Sequence, residues 1–407
     1  MNRPLTPDEL VSIRRDLHSH PELSHRESRT ADVIAAHLRT LGLEPRVGVA
    51  GHGVVADVVG AHDGPTLLYR ADIDALPIQE VDGRAYGSQN PGVMHACGHD
   101  VHTTIGLGVA SAIAARSAEV HGRVRFVFQP AEEAAPPPGE VIGAEKMVVE
   151  GVLEAPAVDA AFALHVMPLL DVGTLGFTGG PVWAASDLFD IHVTGAMAHG
   201  AYPHEGADPI AAASAIVQAL QQIPSRNVDT RDACVVSVCR FQAGSAYNII
   251  PDGAHLQGLV RTHDEGVRDL ALRRLREVAE QTARAWGCEA TIETVRGTYA
   301  TVNDLALEQW VVDRVGAVDN GLTPTPFRPQ MGAEDFAAFS RRVPGCYLLL
   351  GVRNEARGIV HMIHTPGFDV DETCLQLGVD AMVDALLHTG AHFETLRPQL
   401  GAGASAS

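Results

Sequence analysis

A cysteine and a histidine lie two residues apart in the segment Met94–Asp100, which reads MHACGHD. The thiolate of Cys97 and the imidazole of His99 are both good ligands for Zn²⁺ and similar ions, and Gly98 lets the backbone turn tightly between them. Taken alone, the pattern is explained better by a buried cysteine beside a surface histidine. It indicates a metal site only if further ligands converge on it.

Further ligand-type side chains stand at or near the ends of apolar segments. Glu132 and Glu133 would be a solvated pair in isolation, but two carboxylates directly after an apolar strand need partners. Because neighbouring side chains point in different directions, one can bind an ion while the other moves protons. The alternative for His165 is a hydrogen-bonded core histidine, and His364 competes with His361. With the Cys-Gly-His turn, these residues suffice for two ions that share a bridging water, with one carboxylate to spare.

Short, almost continuously apolar segments must position these residues. Such segments are typical of strands buried on both faces, and helical candidates lie between them. The predicted strands are Thr66–Arg70, Val124–Gln129 and Ala160–His165, and the predicted helical regions are Leu10–Leu41, Thr103–Arg116 and Ile142–Glu150. This alternation predicts an α/β fold with a mostly parallel sheet flanked by helices.

The ends of the three predicted strands carry the metal-capable residues. Asp72 and Asp74 follow the first strand, the acidic pair follows the second, and His165 closes the third. Open α/β sheets bind ligands beyond the carboxyl ends of their strands, so we expect these side chains at one edge of the sheet.

A second domain is predicted from a change of pattern near residue 184. Half-exposed strands and amphipathic helices follow in the order strand–helix–strand–strand–helix–strand, which is typical of a ferredoxin-like α+β layer. The clearest of these elements are Asp187–Gly195, Pro209–Gln222, Ala233–Phe241, Ala254–Thr262 and Asp264–Trp286. We therefore predict a discontinuous catalytic domain over residues 1–183 and 298–407, with an inserted lid over residues 184–297.

The composition disfavours several classes of function. The 30 Lys and Arg against 50 Asp and Glu give a net charge of −20, which should repel phosphate backbones, so nucleic acid is not expected as a partner. No run approaches about 18 uninterrupted apolar residues, so no membrane span is expected. The sequence begins without the apolar stretch of a signal peptide, and its 6 cysteines form no CxxC pair. These features predict a cytoplasmic protein.

Ordered motifs run over nearly the whole chain. They are Leu17–Leu23 (LHSHPEL), Arg70–Pro77 (RADIDALP), Met94–His102 (MHACGHDVH), Gln129–Glu133 (QPAEE), His165, His199–His204 (HGAYPH), Asp208-Pro209, Asn248–Pro251 (NIIP), Arg261-Thr262, Gly332–Phe336 (GAEDF) and His364–Phe368 (HTPGF). In this set the chain resembles the di-metal aminoacylases and carboxypeptidases, specifically the branch of hippurate hydrolases and indole-acetyl-amino-acid hydrolases. An ordered set is far more specific than a lone pattern.

The resemblance implies roles for individual residues. The metal ligands would be Cys97, His99, Glu133, His165 and His364. Glu132 would be the general base, and the inserted segment would be the lid or dimerisation domain of the family. Within it His199 would stabilise the oxyanion, in its own active site or in that of a partner subunit. Asn248 and Arg261 would hold the amide region and the carboxylate of the substrate; for Arg261 the alternative is a surface salt bridge. Met197 stands where small residues are usual before the lid histidine, a departure that can alter lid contacts or pocket shape.

The expected activity is that of a metal-dependent amidohydrolase. It would cleave the amide bond of N-acyl-amino acids or related small, peptide-like amides through a metal-bridging hydroxide, with Glu132 as general base. The two ions would be Zn²⁺ or Mn²⁺, with Co²⁺ or Ni²⁺ as alternatives, and the lid predicts a homodimer or higher homo-oligomer.

Three other functions compete with this expectation. The nearest is another enzyme on the same scaffold: a dipeptidase or carboxypeptidase, or a deacylase for a biosynthetic intermediate. A catalytically silent metal-binding protein is disfavoured because it needs no spare carboxylate such as Glu132. A zinc deaminase is rejected because no PCxxC motif follows His20-Pro21-Glu22.

Overall fold

The computed structural model of the chain describes residues 3–81, 83–134 and 141–401. In chain order the strands are β1 (Arg46–Val49), β2 (Gly53–Val59), β3 (His62–Asp72), β4 (His121–Gln129), β5 (Ala160–Asp171), β6 (Thr174–Phe177), β7 (Pro181–Trp183), β8 (Ala185–Thr194), β9 (Ala198–His199), β10 (Cys234–Ala243), β11 (Ile249–Ile250), β12 (Gly253–Thr262), β13 (Glu289–Arg296), β14 (Thr301–Val302), β15 (Thr323–Pro326) and β16 (Gly345–Arg353). The helices are α1 (Pro7–Ser19), α2 (Ser28–Thr40), α3 (His99–Ala115), α4 (Gly143–Val149), α5 (Pro209–Leu220), α6 (Glu265–Ala285), α7 (Leu305–Ala317), α8 (Ala337–Ser340) and α9 (Thr373–Leu396). In the described part of the chain, no helix is long and apolar enough to cross a membrane.

The chain forms two compact units. The first comprises Met1–Gly180, Val302–Arg328 and Ala338–Ser407, and the second comprises Pro181–Thr301 and Pro329–Ala337.

A large mixed sheet forms the centre of the first unit, in the strand order β1-β2-β4-β3-β5-β16-β6-β15. The central strands β4, β3, β5 and β16 run parallel to one another. β3 is buried from Pro65 onward and β5 is buried as far as Pro168, as expected for apolar strands in a sheet flanked by helices. Helix α3 is buried along nearly its whole length and packs against β3 and α9. The predicted α/β fold is confirmed.

The main sheet of the second unit is antiparallel, in the order β10-β12-β8-β13. Helix α5 follows β8 and α6 follows β12, so the element order is the predicted one. Side chains such as Phe189, Ile216, Leu256 and Leu275 form a core between the sheet and these helices. Burial alternates along β8, which is typical of a sheet with one face away from the core. The ferredoxin-like layer is confirmed, and its role as a lid or dimerisation domain stays a prediction.

The predicted helical region Leu10–Leu41 is two helices, α1 and α2, separated by residues 20–27. A proline disfavours helical backbone in the residue before it, and Pro21 follows the end of α1 accordingly. The carboxylate of Glu22 accepts the backbone N–H groups of Arg29 and Thr30 at 3.1 and 2.8 Å. It thereby satisfies free amides in the first turn of α2.

Candidate metal centre

Ligand-type side chains of the first unit meet where β3 and β4 end and α3 begins, beside the middle of β5. The prediction that His165 closes its strand is wrong, because the residues after it remain mostly buried and continue the pairing with β16, so that β5 ends at Asp171. The sulfur of Cys97 lies 3.6 Å from Nε2 of His165. Nε2 of His99 and Nε2 of His364 lie 3.9 and 3.3 Å from Oε1 of Glu133. The structure thus brings together all five residues that the sequence predicts as metal ligands, and their ligand role stays a prediction.

Left-handed backbone shapes two of the turns in this cluster. Gly98 has φ +87°, and a Cβ atom there would overlap the side chain of Val166. Glycine is therefore required between Cys97 and His99. His364 has φ +61°, and its N–H donates to the carbonyl of Ala96 at 2.7 Å. This bond ties a late-chain loop directly beside Cys97.

His99 presents an unpaired nitrogen to the centre of the cluster. Its Nδ1 lies 3.1 Å from Oδ1 of Asp74, a carboxylate that can only accept, so in the neutral ring, the form that binds an ion, the proton is on Nδ1 and Nε2 has the lone pair. Among the described residues, neither His99 Nε2 nor Glu133 Oε1 has a hydrogen-bond partner, although both atoms are buried. Buried polar atoms are normally paired, and a cation between these two acceptors would satisfy both. The donor set therefore fits a metal ion.

Two further histidines of the cluster differ in what their nitrogens can do. His165 donates from Nδ1 to the carbonyl of Val166 at 2.7 Å, which leaves the Nε2 lone pair directed toward Cys97. His102 donates from Nδ1 to Asp72 at 2.5 Å, and its Nε2 accepts the Val166 N–H at 2.9 Å. Both nitrogens of His102 are occupied, so it supports the site and has no lone pair for an ion.

The electrostatics of the cluster favour positive charge. Burial raises the pKa of the Cys97 thiol well above its usual value, and the carboxylates of Glu133 and Glu132 raise it further. Burial lowers the pKa of His99, but the carboxylates of Asp72 and Asp74 outweigh this effect and raise it to about 10. A divalent cation would reverse the effect on Cys97, because a coordinated thiol is held as the thiolate.

Glu132 lies in the turn between β4 and Glu133 and is half-buried. The preceding residue, Ala131, is buried and has φ +55°. The Glu133 N–H donates to Oδ2 of Asp74 at 3.0 Å, which fixes the far side of the turn. The role of Glu132 as general base stays a prediction.

The predicted lid residues belong to the second unit. β9 pairs with β11, so that His199 stands opposite Ile249, and the carbonyl of Asn248 accepts the Gly200 N–H at 2.8 Å. His199 and Asn248 are exposed. Arg261 is half-buried on β12, and its Nη1 has no hydrogen-bond partner among the described residues. Within that part of the chain it also forms no salt bridge, which disfavours the alternative role.

Comparison with known proteins places this arrangement in a family. Residues 68–388 match the sequence model of peptidase family M20/M25/M40. The chain belongs to this family. N-acetyl-L-cysteine deacetylase of Bacillus subtilis is 38% identical over 367 residues, which cover 90% of this chain and 85% of the relative. IAA-amino acid hydrolase ILR1-like 4 of Arabidopsis thaliana is 37% identical over 375 residues, which cover 91% and 83%.

A solved structure extends the comparison to the fold of the M20 family. The crystal structure of the Bacillus subtilis YXEP protein, described as a dinuclear metal binding peptidase from this family, matches with a TM-score of 0.83. The two chains are 35% identical, and the match covers 95% of this chain and 98% of the other. The predicted family and fold are confirmed, and so is the enzyme class, a hydrolase of C–N amide bonds. Two divalent ions are supported, whereas their identity, the oligomeric state and the cellular location stay predictions.

Proposed function

We propose that this M20-family chain hydrolyses the amide bond of N-acyl-amino acids or related small amides. Two divalent ions would be held by Cys97, His99, Glu133, His165 and His364. The observation that carries the proposal is the buried pair of acceptors, His99 Nε2 and Glu133 Oε1, which face each other without a hydrogen-bond partner among the described residues. The names of the relatives, a deacetylase and an amino acid hydrolase, support an N-acylated substrate.

The side chains divide the chemistry of amide hydrolysis among them. The bound ions, Zn²⁺ or Mn²⁺ with Co²⁺ or Ni²⁺ as alternatives, supply a water of lowered pKa and polarise the scissile carbonyl. Glu132 takes a proton from the attacking water on its carboxylate and passes it to the leaving nitrogen. Glu133 is assigned to the ions because its Oε1 lies 3.9 Å from Nε2 of His99, and the neighbouring Glu132 is assigned to the proton.

Hydrogen bonding within the second unit prepares His199 for its proposed role. The Ala201 N–H donates to Nδ1 of His199 at 3.1 Å, so the ring proton of a neutral imidazole is on Nε2. This tautomer offers the donor that an oxyanion requires. Asn248 would hold the amide region of the substrate. Burial lowers the pKa of Arg261, and its unpaired Nη1 makes it the candidate partner for a substrate carboxylate.

The second candidate is a dipeptidase or carboxypeptidase activity at the same site. It is favoured by the description of the similar YXEP protein as a peptidase. The two candidates differ in the group on the acyl side of the scissile bond, which carries a free ammonium in a dipeptide and is uncharged in an N-acyl-amino acid. We expect the acylated substrates to be hydrolysed faster.

A substrate panel on metal-stripped protein reloaded with Zn²⁺, Mn²⁺, Co²⁺ or Ni²⁺ tests the proposal. The panel contains hippurate, N-acetyl-cysteine, other acetyl-amino acids, indole-acetyl-amino acids and dipeptides. Hydrolysis of dipeptides alone would replace the first candidate with the second. No hydrolysis with any ion would contradict both.

A matched pair of variants tests the two adjacent carboxylates. Glu132→Gln should retain two ions per chain yet lose about 100-fold or more in kcat, since positioned general bases contribute about 10²–10⁴-fold. Glu133→Ala should instead lose bound metal. Metal content by mass spectrometry and initial rates distinguish them, and a fully active Glu132→Gln protein would refute the assignment of the base.

A further inference from the structure

The turn that carries Glu132 and Glu133 depends on an unfavourable backbone conformation. Ala131, the residue before the pair, has φ +55° and is 1% exposed. Residues with a Cβ atom rarely adopt this left-handed region, and they keep it only where surrounding contacts hold them there. A change at Ala131 would redirect both carboxylates.

A buried glutamate from a distant part of the chain holds this backbone. The Ala131 N–H donates to Oε1 of Glu27 at 2.8 Å, across a separation of 104 residues. Glu27 is fully buried at the start of α2, yet its side chain makes no capping bond to that helix. Glu22 provides those bonds instead, so the carboxylate of Glu27 is available for Ala131.

The cost of burying Glu27 indicates that its acceptor atom matters. Its Oε2 has no hydrogen-bond partner among the described residues. A carboxyl group in such surroundings is unfavourable unless it makes a bond that an apolar side chain cannot make. Besides backbone amides of its own segment, at Glu27 and His25, the group that this carboxyl binds is the Ala131 N–H.

A second carboxylate accepts a hydrogen bond from the other side of the same turn. Oδ2 of Asp74 accepts the Glu133 N–H at 3.0 Å. The backbone amides on both sides of Glu132 are therefore held by carboxylates from two other segments. Asp74 also contacts His99, whereas the Glu27 carboxylate bonds the Ala131 N–H and backbone amides of its own segment, at Glu27 and His25. Glu27 is thus the residue whose effect on the turn can be tested separately.

We propose that Glu27 is a positioning residue, whose carboxyl oxygen holds the Ala131 N–H and thereby directs Glu132 toward the substrate and Glu133 toward the metal. The inference rests on the proposed function, because that function gives Glu132 and Glu133 their roles. Glu27 itself takes no part in the chemistry. Glu27 acts through the backbone of the turn.

Two substitutions separate the acceptor from the shape of the side chain. Glu27→Met keeps the length but removes the acceptor, and Glu27→Gln keeps an amide oxygen in the same place. Burial and the nearby Asp74 raise the pKa of Glu27, so the site disfavours its charge, which glutamine lacks. Glu22→Met is the matched control, since it weakens the start of the same helix without touching Ala131.

We expect metal affinity and kcat to fall in Glu27→Met but not in Glu27→Gln, and metal affinity to be unchanged in Glu22→Met. Affinity for one ion, measured by competition with a chelator, should fall about 10–100-fold, the usual effect of a lost outer contact at a metal site. With saturating metal, kcat should fall about 100-fold while KM changes less than about threefold, as for a small misplacement of a catalytic group. Glu27→Gln should recover both quantities to within about threefold. Glu22→Met should lower thermal stability and leave metal affinity unchanged.

Several outcomes would overturn the inference. They are an unchanged metal affinity and kcat in Glu27→Met, equal losses in Glu27→Gln and Glu27→Met, or the same metal loss in Glu22→Met. If Glu27→Met does not fold, hydrogen exchange at the Ala131 amide of the wild-type protein decides. Slow exchange supports the bond to Glu27, and exchange at the rate of a free amide refutes it. Metal affinity and hydrogen exchange need no substrate, so failure of the proposed function is distinguishable from failure of this inference.

Discussion

Replacing Asp74 by asparagine should damage the metal site by changing the tautomer of His99. Oδ1 of Asp74 lies 3.1 Å from Nδ1 of His99, while Oδ2 accepts from the Ser24 hydroxyl at 2.7 Å and the Glu133 N–H at 3.0 Å. Aspartate accepts on both oxygens, but asparagine offers one acceptor and one donor. If the asparagine oxygen accepts from Ser24 and Glu133, the asparagine NH₂ group faces His99. Nδ1 must then accept, and the proton moves to Nε2, the nitrogen that should bind the ion.

The size of the expected loss in metal affinity follows from the hydrogen bond that Asp74→Asn removes. A hydrogen bond to a charged group contributes about 1.5–3 kcal/mol. At about 1.4 kcal/mol per tenfold change, this corresponds to a roughly 10- to 150-fold loss. Replacing an outer contact of a metal ligand typically costs about 10–100-fold in metal affinity, in the same range. We expect Asp74→Asn to bind one ion about 10–100-fold more weakly than the wild type.

Chelator competition titrations on the two purified proteins measure this difference directly. Ser24→Ala is the matched control, because it removes one bond to Asp74 and leaves the contact with His99 in place. It should change the metal affinity by less than about threefold, as the loss of one neutral hydrogen bond would. Equal affinities for wild type and Asp74→Asn would refute the tautomer argument, as would an equal loss in Ser24→Ala.

Three other perturbations have defined outcomes. Gly98→Ala should destabilise the protein by about 1–3 kcal/mol and lower its metal content, because the added Cβ would overlap Val166 at a left-handed position. Denaturant unfolding measures the stability and metal analysis the bound ions, and wild-type values of both would contradict the prediction. Burial raises the pKa of Glu80, but hydrogen bonds led by that from His18 lower it from 4.5 to about 2. Its contribution, on the order of 3 kcal/mol, should be complete above about pH 5 and disappear toward pH 2, and Glu80→Gln should flatten this part of the pH–stability curve. Chelating the ions should lower the free energy of unfolding by about 2.7 kcal/mol for each ion, relative to protein with free ion at 100 times its Kd, and identical denaturation curves would contradict metal binding.

The central strands could be predicted from the sequence because their burial is nearly complete. Thr66–Arg70, Val124–Gln129 and Ala160–His165 lie within β3, β4 and β5, and the parallel pairing of these strands brings their carboxyl ends together. Apolar side chains on both faces leave a continuous signal that needs no knowledge of partners. The second unit was predictable for a related reason, since half-exposed strands alternate.

Contacts between distant segments could not be predicted in this way. The sequence does not distinguish His361 from His364 as a candidate ligand. In the structure His364 lies beside Glu133, whereas His361 lies against Gly367. The bond from Ala131 to Glu27 spans 104 residues, and no local pattern identifies its partner. The choice between such candidates depends on tertiary packing, which also decides which nitrogen of each histidine carries the proton.

The distribution of hydrogen bonds among three carboxylates explains how one cluster holds both positioning and ligating groups. One oxygen of Asp72 accepts from Arg70 at 2.6 Å and the other from His102 at 2.5 Å. Both oxygens of Asp74 also accept from protein donors. Oε1 of Glu133 accepts no hydrogen bond within the described residues, although Nε2 of His364 lies 3.3 Å from it. Because an oxygen that already accepts a strong hydrogen bond is a poorer ligand, we expect a cation to bind Glu133 and not the more deeply buried aspartates. Burial alone therefore does not select the ligand; the carboxylate that protein donors leave unsatisfied is the one available to the ion.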